Sequence, residues 1–123
     1  MGLFSRKKNV PKNDAFFEQE FTQAESFRGF KRAKLSTYGY KPIEKSLAKL
    51  KPYDFTGRSI TLRGIKYDGG RCLLVLVDGN HIGTMFGKTY EDVYKAILKG
   101  KATAAYVMVN DDEEVFLFVK LGD

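Results

Sequence analysis

The longest regular pattern of apolar and polar positions runs from residue 57 to residue 86 and predicts three short antiparallel strands. Two glycine-containing turns, at residues 67–70 and 78–80, divide this stretch. Both contain Asp-Gly or Gly-Gly pairs, which favour the positive φ angles of tight hairpins. Between the turns, residues 71–77 are almost wholly apolar, which is typical of a central strand buried on both faces.

A helical pattern precedes this meander. Phe17, Phe21 and Ala24 fall at i, i+4 and i+7, and Phe16 widens the apolar stripe. The spacing predicts an N-terminal amphipathic helix over residues 13–28 that packs on its own domain. In an alternative interpretation, Phe16, Phe17 and Phe21 form a helix that docks on a protein partner or on a second copy of the chain.

Four further elements complete the predicted domain. They are a strand over residues 30–38, a helix over 42–51, a helix over 90–99, and a closing hairpin of strands 102–109 and 114–121. We therefore predict an α+β fold, either a small curved antiparallel sheet or an OB-like β-barrel, with two to three flanking helices. The single domain spans residues 13–123, with its core over 30–121, and follows a disordered basic tail at residues 1–12.

Length and composition narrow the class of protein. A chain of 123 residues with 43% hydrophobic residues can bury a core as one domain. No apolar run is long enough to cross a bilayer, and Leu3 and Phe4 beside the cations of the basic tail are too few apolar residues for stable membrane association. The single cysteine, Cys72, lies in the predicted central strand and forms no intramolecular disulfide. These features predict a protein of the cytoplasm.

The charge of the chain is unevenly distributed. Residues 28–71 contain twelve Lys and Arg against three acids and carry plus nine, whereas residues 13–27 carry minus four and residues 72–123 carry minus three. A localised basic segment predicts an anionic partner, although exposed lysines that only keep the protein in solution would give the same composition.

Arrangements for catalysis are sparse. The only histidine, His81, lies beside the second turn, where exposure to solvent is expected, and there is no nucleophile elbow, phosphate-binding loop or metal motif. The acidic residues 111–114 lack the ligand spacing of a calcium loop, so a solvated turn is expected. We predict a protein that is not an enzyme and that uses no cofactor or metal.

Aromatic residues are interleaved with the cations of residues 28–71. Rings on which bases stack, beside cations that contact phosphates, are typical of modules that bind single-stranded nucleic acids. The predicted partner is therefore single-stranded nucleic acid, and a homodimer or a protein partner remains the alternative. The aromatic residues concerned are Phe30, Tyr38, Tyr40, Tyr53, Phe55 and Tyr67.

The order of short motifs in the meander resembles the HIRAN domain, which occurs alone in bacteria and at the N-terminus of some DNA-repair helicase-like ATPases. The matching stretches are Leu62-Arg63, Tyr67-Asp68, Cys72-Leu73-Leu74-Val75, Gly79-Asn80-His81-Ile82-Gly83, and the helix after Thr89. The resemblance covers residues 30–121 and implies a modified OB-type barrel that captures the end of a DNA single strand.

The same resemblance implies a stacking role for Tyr67 and a hydrogen-bonding role for Asp68, with Tyr38 as a looser match to an upstream aromatic. Together with the basic segment, it predicts a nucleic-acid-binding site. Its residues are Arg63, Lys66, Tyr67, Asp68, Arg71, Lys31, Arg32, Lys34 and Tyr38.

Overall fold

Seven β-strands and two short helices make up the part of the chain that the computed structural model describes, which is residues 15–37, 41–67, 70–86 and 91–122. The basic tail at residues 1–12 lies outside these ranges. The elements are β1 (Ala15–Thr22), β2 (Lys31–Lys34), α1 (Lys41–Ala48), β3 (Ser59–Tyr67), β4 (Gly70–Val77), β5 (Asn80–Phe86), α2 (Glu91–Leu98), β6 (Ala102–Val109) and β7 (Val115–Leu121).

The strands form two antiparallel sheets. The first sheet has the order β1-β3-β4-β5, and the second has the order β2-β7-β6. The chain is thus a small β-rich fold with short helices, as the sequence predicted in outline. The predicted OB-like β-barrel is not a closed one among the described residues, because the strands are divided between two ladders that only isolated bridges join.

The meander β3-β4-β5 confirms the prediction made from residues 57–86. At its second turn, Asp78 and Gly79 have φ angles of 49° and 82°, the positive values that a two-residue hairpin turn requires. The Asp78 carboxylate accepts hydrogen bonds from the backbone N–H of Ser59 at 3.0 Å and from Nη1 of Arg58 at 2.9 Å. Asp78 therefore both adopts the turn conformation and ties the turn to the start of β3.

The main core lies between the two sheets. Alternate residues of β3 and β4 face alternate residues of β6 and β7, because side chains of a strand point to opposite sides in turn. Both helices add apolar side chains to this core, which explains their i, i+4 spacing. The core includes Ile60, Leu62, Leu73, Val75, Val77, Ala105, Val107, Val115, Leu117, Val119, Leu47, Leu50, Val93 and Ile97.

The N-terminal element is a strand, so the helix predicted over residues 13–28 is wrong. Two residues four apart lie on one face in a helix and also in a strand, so the Phe17–Phe21 spacing fits both. Pairing with β3 decides between them, since Glu18 lies opposite Arg63 and Glu20 lies opposite Thr61. Phe21 lies in the core, 9% exposed.

The partner-docking helix of Phe16, Phe17 and Phe21 is therefore also wrong. All three residues belong to β1, where Phe17 lies opposite Gly64 and Phe21 lies opposite Ile60 of β3.

Two isolated bridges connect the sheets beyond their ladders. Ser36, just after β2, exchanges backbone hydrogen bonds of 2.8 and 3.0 Å with Thr84 of β5. Gln23, just after β1, lies beside Ala105 of β6 in a parallel bridge. The segments that follow β1 and β2 therefore each contact the other sheet.

No helix in the described part of the chain is long and apolar enough to cross a membrane.

Candidate functional site

The residues predicted to bind nucleic acid do not form one surface among those described. Lys31, Arg32 and Lys34 lie on β2 of the second sheet, whereas Arg63 lies on β3 of the first. Tyr38 and Asp68 lie outside the described residues. Lys66, Tyr67 and Arg71 are in the paired ends of β3 and β4, where Lys66 lies opposite Arg71 and Tyr67 lies opposite Gly70.

Arg63 has a structural partner. Its Nε donates a hydrogen bond of 2.6 Å to Oε1 of Glu18, the residue opposite it on β1, and its side chain is only 13% exposed. A cation that is paired and this little exposed is poorly placed to contact a phosphate. Arg63 therefore contributes to the pairing of β1 with β3, and the predicted site loses one of its cations.

Strand β2 places Arg32 and Lys34 on the outward side of the second sheet. Ala33 packs against the core, so its neighbours Arg32 and Lys34 point the other way and Lys31 shares the side of Ala33. Arg32 lies opposite Phe118, and Lys34 lies opposite Phe116. The Arg32 guanidinium carbon is 5.6 Å from the centroid of the Phe116 ring, within the range of a cation–π contact.

Aromatic rings from three parts of the chain meet on this outward side. Phe116 and Phe118 alternate with the core residues of β7, and Tyr106 lies opposite Phe118 on β6. Phe27, from the segment between β1 and β2, stacks on Phe118 with centroids 4.3 Å apart and planes at 26°. Phe27 also lies 5.2 Å from Tyr106. We call this surface the ring face; its members are Phe27, Tyr106, Phe116, Phe118, Arg32 and Lys34.

The rings of this face differ in how far they reach solvent. Phe118 is 5% exposed because Phe27 covers it, whereas Phe27 itself is 40% exposed. Tyr106 and Phe116 are half-buried. Phe118 is thus the support on which Phe27 rests, and Phe27, Tyr106 and Phe116 are the rings that a ligand can reach.

A tight turn sets the position of Phe27. The backbone N–H of Phe30 donates a hydrogen bond of 3.0 Å to the carbonyl of Phe27, and Gly29 supplies a φ of 81° inside the turn. Upstream, the N–H of Ala24 donates to the carbonyl of Ala105 at 3.0 Å. The turn also carries the exposed Arg28, the residue after Phe27.

An acidic hairpin borders the other end of the ring face. Glu114 precedes β7 and forms an ion pair with Lys34 through Oε2. Its Oε1 accepts a hydrogen bond of 2.9 Å from Nδ2 of Asn110, and these two donors lower the pKa of the Glu114 carboxyl. Glu113 accepts from Tyr53 Oη at 3.1 Å and lies 3.4 Å from Lys51 Nζ. In the predicted solvated turn, Glu113 and Glu114 are thus paired with Lys51 and Lys34 of the basic segment, while Asp111 and Asp112 are exposed.

The two side chains with potential for catalysis are built into the first sheet. Nε2 of His81 lies 2.9 Å from Thr84 Oγ1 and 3.1 Å from the Gly83 carbonyl, so His81 is partly buried where exposure was expected. Burial lowers the pKa of His81 and raises the pKa of Cys72 to about 11. In the described ranges, no three His, Cys, Asp or Glu residues are grouped so that they could hold a metal ion.

The ring face was missed because its members lie far apart in sequence. One local signal was present: residues 115–119 are all apolar, although β7 has only one side against the core. A strand of that kind should alternate with polar residues, so apolar residues on its outward side indicate either a second packing surface or a binding surface.

A comparison of the chain with known proteins found no matching family model, no matching curated protein and no matching solved structure. The resemblance to the HIRAN domain therefore stays a prediction from sequence.

Proposed function

We propose that the protein is a non-enzymatic module that binds single-stranded nucleic acid on its ring face. One observation carries the proposal: the guanidinium of Arg32 lies over the ring of Phe116, on the same sheet face as Phe27 and Tyr106. A cation and several reachable rings on one surface are what an unpaired strand requires.

Stacking and charge act on different parts of such a strand. Bases stack on aromatic rings and on the planes of Arg guanidinium groups, and phosphates pair with cations. Phe116 and Phe118 are two residues apart on one strand, so their Cα atoms are about 6.7 Å apart. An extended strand can therefore present neighbouring bases to Phe116 and to Phe27, which rests on Phe118. A duplex keeps its base faces stacked internally and offers only its phosphates.

The HIRAN likeness, with its relation to OB-type folds, forms part of this proposal. The β3-β4-β5 meander supports it, because the matching stretches Leu62-Arg63, residues 72–75 and residues 79–83 lie on these three successive strands and their second turn. The ring face is a different part of the molecule from the Tyr67-Asp68 turn that the family implies.

Salt-dependent fluorescence anisotropy with a labelled single strand of thymidines tests the proposal. We expect binding that weakens as salt is added, because phosphate contacts release counterions. Arg32→Ala should reduce both the affinity and the salt slope. Lys45→Ala is the matched control, since Lys45 is exposed on α1, which packs on β5, and its loss changes the net charge by the same unit.

Two outcomes would contradict the proposal. One is no binding at low salt. The other is an equal loss for Arg32→Ala and Lys45→Ala, which would assign the binding to net charge alone. Light scattering on the free protein tests the alternative that the protein associates with itself. A doubled mass that falls to the mass of a single chain in Phe27→Ala would show that a second copy of the chain covers the ring face.

A further inference from the structure

Lys34 belongs to the ring face, but its charge is already engaged. Its ammonium group forms an ion pair with Oε2 of Glu114, which lies on the same outward side of the second sheet. Arg32, two residues away on the same side, lies instead over the Phe116 ring. The two outward cations of β2 therefore differ: Arg32 contacts an aromatic ring and Lys34 contacts a carboxylate.

The Glu114 carboxylate is held in position from both of its oxygens. Asn110 Nδ2 donates to Oε1 at 2.9 Å, and Lys34 occupies Oε2. The Asn110 side chain is fixed in turn, because its Oδ1 accepts from the backbone N–H of Glu114 at 2.8 Å and from that of Asp112 at 3.0 Å. This is more order than two flexible surface side chains usually have. At neutral pH the carboxylate is ionised, in keeping with its lowered pKa.

We propose that Glu114 is a specificity-determining residue of the ring face, which withholds Lys34 from the ligand and leaves Arg32 as the outward cation of β2 that contacts a phosphate. This inference rests on the proposed function. A carboxylate at the Lys34 end occupies the cation that a phosphate would otherwise contact, and it repels phosphates that approach that end. Of the two outward cations of β2, Arg32 alone is then left for phosphate contact.

The inference predicts a specific change in salt dependence. Glu114→Gln frees Lys34 for one more phosphate contact, and each contact with a single strand adds about 0.7 to the slope of log affinity against log salt. The advantage of Glu114→Gln over wild type should therefore grow about 2.6-fold for a fourfold reduction in salt. Removing a negative charge far from Lys34 would raise the affinity through the overall electrostatic field of the protein. It would add no phosphate contact, so the slope would stay that of wild type.

A set of four variants separates local release of Lys34 from the general field. Asp112→Asn is the matched control, because Asp112 is exposed in the same hairpin and its loss changes the charge by the same unit. The others are Glu114→Gln, Lys34→Ala and the double variant. Thermal melts of each establish that the fold is retained, and binding is measured by anisotropy with the labelled thymidine strand over a range of salt concentrations.

We expect Glu114→Gln to bind more tightly with the steeper slope, and Asp112→Asn to keep the wild-type slope. Lys34→Ala should weaken wild type far less than Arg32→Ala does, by an amount set by the general field, and should remove the gain of Glu114→Gln. If wild type binds but Glu114→Gln leaves the slope unaltered, or if Lys34→Ala weakens wild type as much as Arg32→Ala does, this inference is overturned and the proposed function stands. No binding by the wild type at low salt overturns the proposed function and this inference with it.

Discussion

The ring of Phe27 is stacked on the ring of Phe118, with centroids 4.3 Å apart and planes at 26°. The two residues have opposite relations to solvent, since Phe118 is among the buried residues and Phe27 is one of the exposed large apolar ones. A ring that is stacked on one side and open on the other keeps its orientation and has a face for a ligand. The pair therefore allows binding and stability to be tested separately.

We predict that Phe27→Ala weakens binding of a single strand by roughly 1–3 kcal/mol, the usual contribution of one base–aromatic stack. Its melting temperature should fall less than that of Phe118→Ala, because the Phe27 ring is 40% exposed. Phe118→Ala should instead destabilise the fold by about 3–5 kcal/mol, as for a buried ring. Anisotropy and urea unfolding measure the two effects.

Leu121→Ala is the control for Phe27→Ala, since Leu121 is the other exposed large apolar side chain among the described residues and has no ring. It should leave the affinity unchanged. A loss of affinity as large as that of Phe27→Ala would point to general apolar contact and away from stacking.

A second prediction concerns Gln23, whose side chain pairs with the backbone of β6. Its Nε2 donates to the Val107 carbonyl at 2.8 Å, and its Oε1 accepts from the Val107 N–H at 2.8 Å. Gln23→Ala leaves both groups of Val107 without these partners, so the free energy of unfolding should fall by about 1–3 kcal/mol. Gln19→Ala removes a single hydrogen bond, 3.2 Å long to the Ala102 carbonyl, and should have the smaller effect in the same urea titration. If Gln23→Ala and Gln19→Ala lowered the free energy of unfolding equally, the second hydrogen bond of Gln23 would contribute nothing to stability.

These glutamines also explain why the first element was predicted as a helix. Gln19 is polar but faces the second sheet, so it breaks the apolar alternation by which a strand is recognised in sequence. The residues that make β1 a strand lie elsewhere: Arg63 of β3, opposite Glu18, and the backbone of Ala102 and Val107. Nothing within residues 13–28 indicates those partners.

The elements that were predicted correctly depend on local signals. The meander follows from the Asp78-Gly79 turn beside an apolar run, and both helices follow from apolar spacing with a glycine or a proline at one end. The ring face has one local signal, the apolar residues 115–119, and that signal does not indicate which residues lie beside them. Lys34 and Glu114 are 80 residues apart, and only the antiparallel pairing of β2 with β7 brings them together. The charge count identified Arg32 and Lys34 as candidates but could not show that a carboxylate already holds one of them.

A third prediction concerns Gly83, which lies close to Leu35 where the first sheet meets the segment after β2. A Cβ atom at this position would lie 2.7 Å from Leu35 Cβ and 2.8 Å from its Cδ1. Gly83→Ala should therefore destabilise the fold by about 1–3 kcal/mol through overpacking. In a Leu35→Ala background part of this loss should disappear, because the Cδ1 contact is gone while the Cβ contact remains.

Gly57→Ala separates this steric effect from backbone strain. Gly57 has a φ of 75° and open space around its Cα, so its substitution costs stability through conformation alone. Its effect should be the same with Leu35 or with Ala at position 35. If the loss of stability caused by Gly83→Ala in urea unfolding is also the same with Leu35 or with Ala at position 35, contact with Leu35 is not its cause.

The last prediction concerns His81, whose pKa is lowered from its ordinary value of 6.5, first by burial and further by the positive charge of Arg63. The folded protein therefore takes up its proton at a lower pH than the unfolded chain does. The contribution to stability is complete above pH 6.5 and is lost as the pH falls through the folded pKa. Because His81 is the only histidine, its imidazole proton resonances report this titration without overlap from other histidines.

Unfolding in urea at several pH values just below 6.5 should show the loss, since carboxylates with pKa values of about 4 remain ionised there. His81→Gln should flatten the profile in this window. An imidazole that titrates at or above 6.5 in the folded protein would contradict the prediction, and it would mean that the hydrogen bonds at Nε2 with Gly83 and Thr84 favour the charged form more strongly than burial opposes it.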